Sequence, residues 1–214
     1  MQAPGAEASQ HTAAPPTTTK PWQEICADVQ AYRAATVGKV FSTLSTLLAD
    51  ELPLNVTGVP ADVLTAEEVR ITSLTTEELL CQLASLEMSC AEVTSAFLRR
   101  AAVAQHLVNC VTELLPDRAH ARAQYLDEYI SAHGKPIGPL HGLPISVKEH
   151  VSMEGLDCNA GFVSWVGRVA KEDALILKNQ LESRRSVLCA DDRASDDCRP
   201  EPELHSLTVR PRVC

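Results

Sequence analysis

An α/β fold is predicted by three features. Helical signals crowd the first half of the chain, two short β-rich runs bracket a further helical segment in the second half, and glycine and proline gather where the second run begins. From Trp22 to about Leu52 the apolar residues Ile25, Val29, Tyr32, Val37, Phe41, Leu44 and Leu48 recur at threes and fours, the spacing of one helix face. Gly38 is a point where that helix can divide. Pro53 and the stretch Asn55 to Pro60 then interrupt the pattern, and Val59-Pro60 is expected to be extended. Asn55-Val56-Thr57 matches a glycosylation acceptor, which has no role in a chain expected to remain in the cytoplasm.

Two further helices are announced by their first residues. Thr75 with Glu78, and Ser89 with Glu92, each have the spacing at which a hydroxyl and a carboxylate satisfy each other's backbone N–H. Val93, Phe97, Ala101, Ala104 and Val108 form the stripe of the second. Val108 to Thr112 is β-rich, and the segment from Pro116 to Ala132 has proline near its start and is rich in alanine and charge, so strand and then helix follow. Gly134, Gly138 and Gly142, interleaved with Pro136, Pro139 and Pro144, make a stiff loop before the run Leu143 to Lys148, expected to be a buried strand with Lys148 at its end.

Composition narrows the function. With 45% hydrophobic residues in 214, the chain can build an ordinary core, and its net charge of -9 offers no basic stripe for phosphates or anionic membranes. No run approaches 18 apolar residues, and the first twenty hold no hydrophobic stretch, so neither a spanning helix nor a secretory signal is expected and the chain is assigned to the cytoplasm. The eight cysteines never form a C-x-x-C pair, and the scattered histidines lack the helical i, i+4 spacing of a zinc site, so no metal is expected and the histidines are read as solvated.

The run Asn109 to Glu113, the helix through Tyr125 to Tyr129, and Gly138-Pro139-Leu140-His141-Gly142-Leu143-Pro144-Ile145-Ser146-Val147-Lys148-Glu149 together resemble the amidase-signature family, most closely its fungal acetamidase-like branch. The likeness extends from about residue 22 to 180 and includes Gly161-Phe162-Val163-Ser164-Trp165. It implies a partial amidase-signature fold: N-terminal helices followed by the first strands of a mixed sheet flanked by helices. It also implies hydrolysis of small carboxylic amides to acid and ammonia by a Ser-cisSer-Lys mechanism without metal or organic cofactor. Lys148, in the Gly-x-Pro-x-x-x-Lys-Asp/Glu motif, falls on the position of the catalytic base. A free lysine, with pKa near 10.4, is charged at neutral pH, and burial at an apolar strand end is the means by which such a group becomes a base.

The same family places its two serines downstream in a Gly/Ser-rich signature, and residues 149–214 contain none. Ser152, Ser164, Ser183, Ser186, Ser195 and Ser206 have no Gly-Ser-Ser-Gly neighbourhood, and Gly167 is the last glycine. The chain alone is therefore expected to be inactive. Three regions are predicted: 1–21 a disordered leader, 22–182 the N-terminal portion of an amidase-signature domain, and 183–214 a non-homologous, disordered tail whose changed composition suggests an altered reading frame or exon boundary. Strands without partners would leave edges open to self-association. Two other constellations are weaker. His141 could act on a Cys158 nucleophile, but no orienting group is evident, and Glu149, Lys148 and Cys158 cannot form a set because adjacent strand residues point to opposite faces.

Overall fold

Three reciprocal caps start three successive helices in a computed structural model that describes residues 20–44, 53–182 and 186–191. Thr75 Oγ1 accepts from Glu78 N–H at 3.2 Å while Glu78 accepts from Thr75 N–H at 2.8 Å. Ser89 and Glu92 repeat the pair at 3.1 and 2.9 Å. Thr65 and Glu68 form a third, at 3.2 and 2.8 Å, which carries the same T-x-x-E signal and was not anticipated. The helices lying wholly within the described residues are, in chain order, α1 (Trp22–Val40), α2 (Val59–Val63), α3 (Ala66–Ser73), α4 (Thr76–Ala84), α5 (Cys90–Val108), α6 (Pro116–His133) and α7 (Leu175–Glu182). A 3-10 turn spans Val163–Trp165.

Two boundaries differ from expectation. α1 ends at Val40, where Phe41 leaves helical geometry, and residues 45–52 lie outside the described residues. Val59-Pro60, expected to be extended, instead opens α2. A proline in the first turn costs no hydrogen bond there, because that N–H has no intrahelical partner in any case.

The strands are β1 (Val111–Leu114), β2 (Pro144–Lys148) and β3 (Ser186–Asp191). Their order is β1-β3-β2, with β3 antiparallel to β1 and parallel to β2, so the sheet is mixed as expected. β3 arises from the segment expected to lack order. It is a short apolar run flanked by charge, and its stability comes from pairing on both edges. Residues 192–214 and 1–19 lie outside the described residues. β2, expected to be buried, is half-buried with Ser146 exposed, and among the described residues it has a strand neighbour on one side only.

α5 is the central support. Leu98, Ala102 and Val103 pack with Phe41, Val111 and Leu114, and Val93 and Ala96 pack with Leu79 and Leu83 of α4 and Ala123 and Leu126 of α6. The N-terminus of α5 is held from α6: the Cys90 and Ala91 N–H groups donate to the two oxygens of Asp127 at 2.7 and 3.0 Å. Helix N-termini favour a carboxylate both as hydrogen-bond acceptor and as charge. Asp127→Ala is expected to cost about 2 kcal/mol in urea unfolding, since it leaves partly buried donors without their acceptor; Asp127→Asn should recover part of the loss.

Candidate active site

Lys148 closes β2, and the chain turns at once, with the Val151 N–H donating to the Lys148 carbonyl at 2.9 Å. Lys148 is half-buried, and its Nζ has no ion-pair partner among the described residues. Its neighbour Glu149 is 8% exposed and turned elsewhere: its carboxylate accepts from the Asn159 N–H at 2.6 Å and the Ala160 N–H at 2.7 Å. Lys148 and Glu149 therefore form no ion pair with each other.

The loop after β2 is organised by carboxylates. Asp157 accepts from the Gly167 N–H at 3.0 Å and Asp173 from the Glu154 N–H at 2.8 Å, while the Arg118 guanidinium donates to the Glu154 carbonyl at 2.8 Å. A cavity of about 300 Å³ lies between this loop, α1 and β1, and Glu149, Asn159, Asp157, Tyr32 and Glu113 line it. Tyr32 Oη donates to Glu113 at 2.7 Å; partial burial, then the Glu113 hydrogen bond and charge, push the phenol up to about 12. Burial likewise raises Glu113, with the Asp157 charge adding to it and the Tyr32 hydrogen bond opposing it.

The glycine-proline loop is keyed into the N-terminus of α5. Gly142 adopts φ +74, and a Cβ there would fall 2.6 Å from Cys90 Sγ. His141, read from sequence as solvated, is 3% exposed. Its Nε2 lies 3.5 Å from Cys90 Sγ, and its Nδ1 accepts from the Ile137 N–H at 3.4 Å. Cys158 has other partners, the Ser152 hydroxyl at 3.9 Å and the His150 carbonyl at 3.5 Å. The His141–Cys158 pairing therefore has no geometric support, and burial drives the pKa of Cys90, the thiol that His141 does meet, far upward. Among the described residues no group of three or more His, Cys, Asp and Glu side chains could hold a metal.

Burial lowers the His141 pKa from its ordinary 6.5, Arg122 lowers it further and Asp127 opposes. The unfolded chain then binds the proton more readily than the folded one. Stability from this residue is fully present above about pH 6.5 and is lost as pH falls below it. Thermal melts between pH 7.5 and 5.5 should show a steeper decline for the wild type than for His141→Gln.

Residues 92–183 match the family model described as Amidase. The chain is 38% identical over 157 residues to an acetamidase of Emericella nidulans, covering 72% of this chain. Over the matched segment the chain belongs to the amidase family. The amidase fold is shared with solved structures: a fatty acid amide hydrolase superposes with TM-score 0.59 at 25% identity over 80% of this chain, and an amidase family protein from Bacillus anthracis with TM-score 0.53 at 25% identity over 72%. The chain spans 28% of the acetamidase and 35% of the fatty acid amide hydrolase chain. The amidase match contains Lys148, Glu149 and the turn that Glu149 holds. Asn159, Ala160 and Asp127 were not singled out from sequence. Their partners lie 10, 11 and 36 to 37 positions away, and no local spacing signals such a pairing.

Proposed function

We propose that this chain supplies the lysine arm of a site that hydrolyses small carboxylic amides to acid and ammonia, with Lys148 as the base of a Ser-cisSer-Lys mechanism. The observation that carries the reading is the placement of Lys148: it ends β2 within the amidase match and lacks an ion-pair partner among the described residues, while Glu149 is committed to backbone N–H groups. In the proposed reaction a serine Oγ attacks the amide carbon, and its proton passes through the second serine to the Lys148 amine. The C–N bond then breaks as nitrogen takes a proton and leaves as ammonia, and water cleaves the acyl-serine ester. The 214 residues hold no serine in the required context, so this chain by itself is inactive in this reading.

Residues 22–182 act as the N-terminal portion of the catalytic domain. The cytoplasm is the matching compartment, since no disulfide joins the described cysteines Cys26, Cys81, Cys90, Cys110 and Cys158. No described helix is long and apolar enough to cross a membrane.

The test is replacement. An Emericella acetamidase whose matching segment is exchanged for residues 92–183 should release ammonia from acetamide, whereas the 214-residue chain should release none from aliphatic or aryl amides. A folded chimera without activity, or an active 214-residue chain, would sink one half of the reading each. A second reading, a non-catalytic chain that associates with itself, draws on exposed Leu175 and Ile176; sizing chromatography would return oligomers.

A further inference from the structure

We infer that Glu149 is a positioning residue for the candidate base: its carboxylate clamps the 159–161 turn to the end of β2 and so fixes the backbone from which Lys148 projects. The inference rests on Lys148 being the base. Consecutive amides converge on one carboxylate, Asn159 N–H on Oε1 at 2.6 Å and Ala160 N–H on Oε2 at 2.7 Å. The next amide, Gly161 N–H, donates to Asn159 Oδ1 at 2.9 Å. Successive N–H groups turned inward make a concavity suited to an anion, and here the anion is supplied by the chain itself.

Ala160 sits at φ +51, a region a residue with a Cβ occupies only when its surroundings hold it there. The clamp provides that restraint. Glu149 and Asn159 are 8% and 6% exposed, so water does not readily substitute for either partner. The Lys148 backbone is thereby held from three sides: register with Asp191 on β3, the Val151 N–H on its carbonyl, and the pinned residue that follows it.

The experiment compares the wild-type 214-residue chain with Glu149→Gln, which turns one acceptor oxygen into an NH2 group facing an N–H donor. Amide exchange at Asn159 and Ala160 is read by NMR. The Lys148 side chain is followed by ¹³C-dimethylation, its signal identified by its loss in Lys148→Arg. Exchange at one or both amides should accelerate about tenfold or more, and the Lys148 methyl signal should move. Unchanged exchange overturns the clamp, and faster exchange with an unmoved Lys148 signal overturns the positioning role. Should Glu149→Gln not fold, Glu149→Asp retains the charge, shortens the arm and is read the same way. An intact clamp in a chain whose Lys148 proves dispensable to the acetamidase chimera would sink the base reading alone.

Discussion

In the acetamidase chimera carrying residues 92–183, Lys148→Ala is expected to lower kcat/KM for acetamide by roughly a hundred- to ten-thousand-fold, the range typical of removing a general base. Lys148→Arg should lose nearly as much. Its guanidinium keeps the positive charge and much of the length but has no lone pair to accept a proton. The pair of variants separates two roles that alanine alone confounds. If arginine preserves activity, Lys148 serves as a fixed cation and not as a base. Circular dichroism of each chimera checks that the helices around α5 and α6 remain.

Gly142→Ala is expected to destabilise the 214-residue chain by about 3 kcal/mol in urea unfolding. Two separate costs add. At φ +74 an L side chain is strained whatever the space around it, and the new Cβ would overlap Cys90 Sγ at 2.6 Å and crowd Leu83 at 3.3 Å. The sulfur cannot easily withdraw, because Cys90 is 1% exposed and its own N–H is tied to Asp127. Adding Cys90→Ala to Gly142→Ala removes the overlap and leaves the backbone strain, so the double variant should recover roughly half of the loss. Equal losses in single and double variants would assign the whole effect to φ.

Much of this architecture was legible because its signals are local. The Thr75 and Ser89 caps lie within three residues of their partners and form as read. The helix from Pro116 to His133 starts on its proline and ends on Gly134 at φ +67, as a helix terminating in glycine should. β3 was missed for a physical reason: a short run paired on both edges shows no alternation, and its stability lies in partners more than forty positions away. His141 illustrates the same limit. Nothing beside it in sequence announces burial, which is set by Cys90, 51 positions earlier. Lys148 was found through its motif, whereas the function of Glu149 became readable only once the turn at 159–161 was in place.

The central place of β3 has a consequence for how the chain is made. β1 and β2 are not neighbours, and each finds its ladder only in a strand that is synthesised last among the three. On the ribosome, the caps of α3, α4 and α5 and the packing of α5 on α6 can form from sequence-local contacts while both outer strands wait unpaired. Until residue 191 has cleared the exit tunnel, neither outer strand has its β3 ladder, and β1 is tied to the helices through its Val111 and Leu114 N–H groups, which donate to Gln105 and Thr36. Chaperone engagement should accordingly peak after β2 emerges and fall once β3 inserts.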